Sequence, residues 1–514
     1  MNNCWLDDNQ LNEECGIFGI YAPGRDVGRL TYFALQALQH RGQESAGIAV
    51  GDGKAVLVNK DLGLVTEVFR EDDFAALTGF VALGHVRYST SGGADDWDAA
   101  QPHLSAIDDQ DIAVAHNGTL VNTNHIREEL MERGVAFRSR TDSEVATRLI
   151  GDFTRKSHHI REGIRRTMEL IEGAYAMALI TDDALYAFRD PNGIRPLCIG
   201  VLPDEGGYVV SSETCALDLV GATYLRDVHP GEVIRFNAEG MVCEQAVPAR
   251  RYTPCIFEHV YFARPDSILD GSTVYQDRQW MGRILAREAP ADADLVIGVP
   301  DSGIPGAIGY AHELGIPYAE GIVKNRYIGR TFIQPTQELR KMGIRMKLNP
   351  MRVSIEGKRL VVIDDSIVRG NTSRQLVQML REAGATEVHL RIVSPETKWP
   401  CFYGIDTDTQ DQLIAATKTK EGIQEFVGAD SLEYISLAGL VAAVGMHAPA
   451  PGEKTPVGML GVPGYVCMKE ECTGAPFCTA CFNGVYPVQI SEQISKGSFL
   501  PHMKPLVNGE KPAE

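Results

Sequence analysis

Along residues 15–250 the apolar positions come in short runs of strand character, separated by polar turns. GIFGIYA, GIAVGD, AVLVNK, FVALGHVRYS, IAVAHNGTL, AMALIT, ALYAFRD, YVVSSE and EVIRF each read as a strand. Two stretches instead carry helical spacing. One is TYFALQALQH; the other covers 142–172, where His158 and His159 mark a place to split it in two. This half is predicted to be α+β with mostly antiparallel strands. After Tyr252 the rhythm changes. DLVIGVP, PYAEGIV, RLVVIDDS, EVHLRIVS and SLEYISL are near-continuous apolar runs, each followed by a helical pattern. That alternation predicts a parallel sheet flanked by helices. The boundary falls near 245–260, and from Ala448 the chain is rich in Pro and Gly, as in an extended arm. Four units are expected: a leading stub at 1–14, domains at 15–250 and 251–447, and an arm at 448–514.

Composition narrows the class. At 514 residues and 44% hydrophobic, the chain can bury more than one core. A formal charge of −19 opposes non-specific binding to nucleic acid or to anionic membranes, so neither is an expected partner. An anionic substrate then needs local cations or backbone amides. No stretch approaches the ~18 apolar residues of a membrane span; LAGLVAAVG at 437–445 reads as a core helix. The first residues are acidic and poor in apolar content, unlike a signal peptide. Eleven scattered cysteines suit reduced thiols in a soluble cytoplasmic protein.

The most specific stretch is RLVVIDDSIVRGNTS, residues 359–373. A buried strand ends in Asp364 and Asp365, and a short loop leads into a helix. Loop amides and the helix N-terminus form an anion site, Gly370 allows close approach, and the hydroxyls of Ser366, Thr372 and Ser373 can donate. Paired acids beside a phosphate site suit ribose hydroxyls, often with Mg²⁺ nearby. The place, at the carboxyl end of a parallel strand, is right for a ligand. The string resembles the 5-phosphoribosyl-1-diphosphate (PRPP) motif of type I phosphoribosyltransferases. VIGVPDSGIPGA, residues 296–307, resembles their pyrophosphate loop. IVKNRYIGRTFIQP, residues 322–335, resembles their mobile catalytic loop, with Lys324, Arg326 and Arg330 as cations.

In the first half a thiol, Cys15, opens the first strand behind the stub MNNCWLDDNQLNEE. A nucleophilic thiol needs a base. His40 is near in sequence. Removal of residues 1–14 would instead supply a free α-amine at Cys15, with an unperturbed pKa of about 7.7–8.0. Arg87 in HVRYSTSG could pair with a carboxylate, Asn117 and Gly118 in HNGTL could form an oxyanion hole, and Asp142 in RTDSE could bind an ammonium. Together these describe glutamine hydrolysis.

Residues 15–250 thus resemble the N-terminal-nucleophile (Ntn) glutaminase domain of class II amidotransferases, an αββα fold. With the second half, Asn12 to about Pro487 resembles the amidophosphoribosyltransferase family, in its Bacillus-type branch with a propeptide and an iron–sulfur cluster. The resemblance implies hydrolysis of glutamine and transfer of its ammonia to PRPP, the first step of de novo purine synthesis. It implies Cys15 as nucleophile, Asn117 and Gly118 as oxyanion hole, and Arg87 and Asp142 as glutamine ligands. For PRPP it implies Asp364, Asp365, Ser366, Val368, Arg369, Gly370, Asn371 and Thr372, with Asp301, Ser302, Gly303, Lys324 and Arg326. Mg²⁺ would sit at Ser302, Asp364 and Asp365. Cys255, Cys401, Cys478 and Cys481 resemble the family's [4Fe–4S] ligands, a structural group; Cys467 and Cys472 are extra thiols that could substitute. A homo-oligomer, a homotetramer or a dimer, and feedback inhibition by AMP and GMP are further implications. Two rival readings remain at this stage. A glutaminase with another acceptor, as in glucosamine-6-phosphate synthase, needs sugar-isomerase domains, which RLVVIDDSIVRGNTS opposes. A PRPP-sensing transcription factor needs a basic DNA-binding face and would not need Cys15 with its partners.

Overall fold

The strand β1 (Gly16–Tyr21) is buried along its whole length, because both its faces are covered. Alternate residues enter different cores, as the pleat requires: Ile17 and Tyr21 join one, Phe18 and Ile20 the other. The chain is seen here in a computed structural model, which describes residues 15–88, 96–107, 110–203, 207–325, 347–405, 407, 409–445, 477–490 and 506–507. The stub at 1–14, Arg326, Arg330, Cys467 and Cys472 lie outside the described residues.

After β1 come β2 (Ser45–Gly51), β3 (Val56–Leu62), β4 (Val81–Arg87), β5 (His103–Ile107) and β6 (Gln110–Leu120). Then follow β7 (Gly173–Ile180), β8 (Leu185–Arg189), β9 (Cys198–Leu202), β10 (Gly207–Ser211), β11 (Thr223–Asp227), β12 (Glu232–Asn237) and β13 (Gly240–Gln245). They make two antiparallel sheets, ordered β11-β9-β10-β1-β4-β2-β3 and β13-β12-β8-β7-β6-β5. The sheets face each other through Ile17, Leu83 and Val210 on one side and Ala113, Ala115 and Ala178 on the other. The outer face of the first sheet packs on the helices Val27–Ala37 and Thr214–Val220. The outer face of the second packs on the helices Asp142–Ser157 and Ile160–Leu170. The result is the expected helix–sheet–sheet–helix sandwich.

The helix Asp142–Ser157 starts at Thr141, whose hydroxyl accepts from the Glu144 amide at 3.3 Å. It ends at His158, which takes a left-handed conformation, and the chain resumes as a helix at Ile160. The split therefore falls where the two histidines stand.

In the second half, β14 (Ile268–Leu269) and β15 (Ser272–Thr273) form a small hairpin before the helix Val274–Glu288. Then come β16 (Leu295–Gly298), β17 (Ile322–Lys324), β18 (Leu348–Pro350), β19 (Arg359–Asp364), β20 (Glu387–Ile392) and β21 (Ser431–Tyr434). The parallel sheet is ordered β16-β19-β20-β21. Val361 and Ile363 face one helical layer, with Met281 and Tyr310; Leu360 and Val362 face another, with Leu376 and Leu380. Burial on both faces explains the near-continuous apolar runs.

One predicted strand differs. PYAEGIV does not enter the parallel sheet as a strand: Tyr318 makes a single bridge to Val296, and Ile322–Lys324 pairs antiparallel with β18. Pro317 lacks an N–H to continue a ladder, and Gly321 packs its backbone against the Ile297 side chain. Among the described residues, no helix is long and apolar enough to cross a membrane.

Candidate functional site

β1, β4, β6 and the start of the helix Asp142–Ser157 meet around a small cavity. Cys15, Arg87, Tyr88, Gln101, His116, Gly118, Thr141, Asp142 and Ser143 line it. Cys15 stands one residue before β1, buried, with its Sγ 3.5 Å from the carbonyl oxygen of Tyr88. Burial pushes its thiol up to about 11, against the opposing pull of the Tyr88 hydrogen bond and the Arg87 charge. A thiol held this high needs a base to become a nucleophile. His40 is poorly placed for that task. Its Nδ1 lies 3.1 Å from the Ala37 carbonyl and its Nε2 2.7 Å from Glu213, so both ring nitrogens are engaged elsewhere.

Arg87 ends β4 and lies 3.7 Å from Glu44, both buried. Asn117 is buried on β6, and both atoms of its amide lack a hydrogen-bond partner among the described residues. An orphaned buried amide is costly unless a ligand completes it. Gly118 has φ +134, and a Cβ there would meet the Ala174 carbonyl oxygen at 2.1 Å, so only glycine fits. Asp142 accepts from the amides of Leu120 (2.9 Å) and Ser143 (2.8 Å), which fixes its carboxylate at the cavity wall. Cys15, Arg87, Gly118 and Asp142 are thus brought together on one cavity, with Asn117 beside Gly118.

Tyr88, Gln101, His116 and Ser143 line the same wall and were not picked out from the sequence. Gln101 donates to Ser143 Oγ at 3.1 Å and accepts from the His116 amide at 2.8 Å. Burial lowers the pKa of His116, which favours the neutral ring. Tyr88, His116 and Ser143 adjoin Arg87, Asn117 and Asp142 in sequence; Gln101 carries no comparable signal.

A second site lies at the carboxyl ends of β16 and β19. Ser302, Asp364 and Asp365 converge there: the Ser302 hydroxyl donates to Asp365 Oδ2, and Ser366 Oγ donates to Oδ1 at 2.6 Å. Burial, then the charge of Asp365, holds the Asp364 carboxyl well above the usual range. Burial also raises Asp365, partly offset by its hydrogen bonds to the Ser302 and Ser366 hydroxyls. The loop Asp365–Gly370 then leads into the helix Asn371–Glu382, while Gly303 opens the helix Gly303–Leu314. Lys324 Nζ, exposed on β17, lies 2.9 Å from Asp301 Oδ2. Val368 is buried in the loop beside Arg369, and Thr372 sits in the first turn of the following helix.

Comparison with known proteins decides the family. Residues 85–218 match the glutamine amidotransferase domain family, and residues 266–394 the phosphoribosyl transferase domain family. The chain is 50% identical over 490 residues to the amidophosphoribosyltransferase of Synechococcus elongatus, covering 95% of this chain and 94% of that one. It is 45% identical over 501 residues to that of Bacillus subtilis, covering 97% and 98%. The chain belongs to the amidophosphoribosyltransferase family. Among solved structures it resembles the B. subtilis glutamine PRPP amidotransferase complexed with ADP and GMP (TM-score 0.83, 44% identity, 94% and 99% covered). It equally resembles a structure of the allosteric regulatory enzyme of purine biosynthesis (TM-score 0.83, 44% identity, 93% and 97% covered).

Amidophosphoribosyltransferases are pentosyltransferases with glutamine amidotransferase activity. They hydrolyse glutamine and transfer the ammonia to PRPP, giving 5-phosphoribosylamine, pyrophosphate and glutamate, the first step of de novo purine (IMP) biosynthesis. This chain carries both domains that the reaction needs, in that order.

The four cysteines implied by resemblance to the family converge where the C-terminal arm meets the rest of the chain. The backbones of Cys255 and Cys478 pair in an isolated parallel β-bridge, and the Cys481 carbonyl accepts from the amides of Lys398 (3.0 Å) and Trp399 (3.1 Å). Burial first, then the neighbouring Cys255, Cys478 and Cys401, holds the Cys481 thiol well above its ordinary value. Among the described residues no group of three or more His, Cys, Asp or Glu is arranged to hold a single metal ion. A cubane is bound differently, each thiolate meeting its own corner. Four buried free cysteines, three of them grouped around Cys481, fit that donor set.

Proposed function

We propose that this chain performs the family's reaction with Cys15 as nucleophile after removal of residues 1–14. One observation carries the reading: the Cys15 thiol, Arg87, Gly118 and Asp142 share one buried cavity. The α-amine created at Cys15 takes the thiol proton, since both ring nitrogens of His40 are engaged elsewhere. The thiolate attacks the side-chain carbonyl carbon of glutamine, forming an S–C bond. The Asn117 amide and the Gly118 N–H receive the oxyanion. Collapse breaks the C–N bond, the ammonium of Cys15 returns its proton to the leaving nitrogen, and ammonia departs. Water then cleaves the thioester to glutamate. Arg87 pairs with the substrate α-carboxylate and Asp142 with its ammonium.

At the second site, the loops at 301–303 and 364–372 bind PRPP, with Lys324 and Arg326 as cations. The close carboxyls of Asp364 and Asp365 and the Ser302 hydroxyl form an all-oxygen donor set, which suits Mg²⁺. Bound there, Mg²⁺ would neutralise the pyrophosphate leaving group. Ammonia attacks C1 of PRPP and pyrophosphate departs. A closed path between the sites keeps ammonia from escaping or protonating.

Cys255, Cys401, Cys478 and Cys481 hold a [4Fe–4S] cluster of structural role, since amide transfer involves no redox step. Cytoplasmic reduced thiols, a homotetramer and inhibition by AMP and GMP belong to the same reading. The test is the intact mass of anaerobically purified protein, denatured and native. A denatured chain beginning at Cys15 and a native excess of four irons and four sulfides support processing and cluster. A chain that keeps Met1 yet hydrolyses glutamine overturns the α-amine.

A further inference from the structure

Four charged side chains are buried together between the two halves of the molecule. Arg41, Arg195, Glu213 and Glu258 are each no more than 2% exposed. Two are positive and two negative, so the group is balanced. Glu258 comes from the second half, at the start of the short π-helical turn Glu258–Phe262, a local form that often marks a functional place. Arg41 donates from Nη1 and Nη2 to Glu258 Oε2 (3.0 Å) and Oε1 (2.7 Å). Arg195 Nη2 donates to the same Oε1 at 2.8 Å. Arg41 Nη1 also reaches Glu213 Oε1 at 2.5 Å.

From the Glu258 carboxylate two lines run to the glutamine cavity. The first passes through Arg41, whose Nε donates to the carbonyl oxygen of Cys15 at 3.1 Å. The second passes through Arg195, whose Nη1 donates to the Tyr403 carbonyl at 3.4 Å. The next residue, Gly404, has φ +129 and lies against Gly118: a Cβ at 404 would stand 3.3 Å from Gly118 Cα and 3.2 Å from Arg195 Nη1. One carboxylate therefore steadies the backbone of the thiol residue and the segment that backs the oxyanion-hole glycine. Buried ion pairs seldom add net stability, so their worth here is geometric.

We propose that Glu258 is a positioning residue for glutamine hydrolysis, reaching from the second domain to align Cys15 with Gly118. The inference rests on the roles given above to those two residues. Small misplacement of reacting groups is enough to matter, since about 1 Å can cost 10²-fold in rate.

The test is Glu258→Gln in the full-length protein, assayed with glutamine and with ammonium as nitrogen donor. The expected result is a fall in glutaminase kcat of roughly 10- to 100-fold with KM for glutamine nearly constant. Pyrophosphate release driven by ammonium and PRPP should stay within about twofold, since that step bypasses the glutamine cavity. Unchanged glutaminase kcat, or equal losses with both donors, would overturn the proposal. Should Glu258→Gln fail to fold, Gly404→Ala carries the same test through the second line. Its Cβ presses on Gly118, and the same split between donors is expected. A wild-type protein that uses ammonium but not glutamine would instead sink the reading of Cys15 and its cavity.

Discussion

The thiol of Cys15 faces the main-chain carbonyl of Tyr88, with Sγ 3.5 Å from the oxygen. A carbonyl can accept the thiol proton's hydrogen bond but cannot remove the proton. With burial holding this thiol at about 11, the uncleaved chain should react with iodoacetamide at Cys15 only as pH approaches that value. A chain beginning at Cys15 should instead gain reactivity across the α-amine range, about 7.7–8.0. Alkylation rates against pH, followed by mass spectrometry on both forms, check this. Identical profiles would remove the argument for the amine as base.

Asn117 presents a different balance. Its amide has no partner among the described residues, so Asn117→Ala loses no hydrogen bond in the unliganded protein. The variant should melt within a few degrees of wild type. Its glutaminase kcat should drop about 10²- to 10³-fold, the usual loss of one oxyanion donor. Calorimetry and steady-state kinetics separate the two effects; a large fall in Tm with little kinetic change would make Asn117 a structural residue.

Asp364 and Asp365 trade stability for binding. Both are buried, and Asp364 is raised by burial and then by its neighbour's charge. Asp364→Asn removes a carboxyl whose ionisation the folded state disfavours, so it should raise Tm at neutral pH. The same change should abolish PRPP-dependent pyrophosphate release while leaving glutamine hydrolysis in place. Lower Tm together with retained PRPP turnover would contradict both halves of this expectation.

Asp227 gives a pH dependence with a defined sign. Burial, then the charge of Asp270, pushes its carboxyl up to about 7, against about 3.9 for an unfolded aspartate. Between those values the folded state holds a proton that the unfolded state releases. Stability from this group is therefore present at low pH and is lost as pH rises from about 4 to about 7. Asp227→Asn should flatten that fall, so the Tm of the variant minus that of wild type should grow across the window. Parallel curves would show that Asp227 does not titrate there.

The sequence carried those parts of the sites whose chemistry is contiguous. RLVVIDDSIVRGNTS sits on one strand, one loop and one helix, so its place at a carboxyl strand end could be read directly. Cys15 was legible because it stands at the mouth of β1. What escaped was assembled from distance. The Glu258–Arg41 pair spans 217 residues, and the contact of His40 with Glu213 spans 173. Gln101 becomes a cavity wall only once it packs against β6 and the helix Asp142–Ser157. PYAEGIV misled for a local reason: it has the apolar content of a strand, but Pro317 and Gly321 limit its pairing. The edge strand β13 escaped because it is mostly exposed and so shows no alternating buried face.

β1 is paired with β4 from the second residue after the expected cut, Gly16, and with β10 from the fourth, Phe18. A terminus created at Cys15 would therefore begin almost inside the sheet. Proteolysis concentrates on loose chain, and such a terminus would offer almost none. If the chain is cut there, the fold itself would limit further trimming and set which residue comes first.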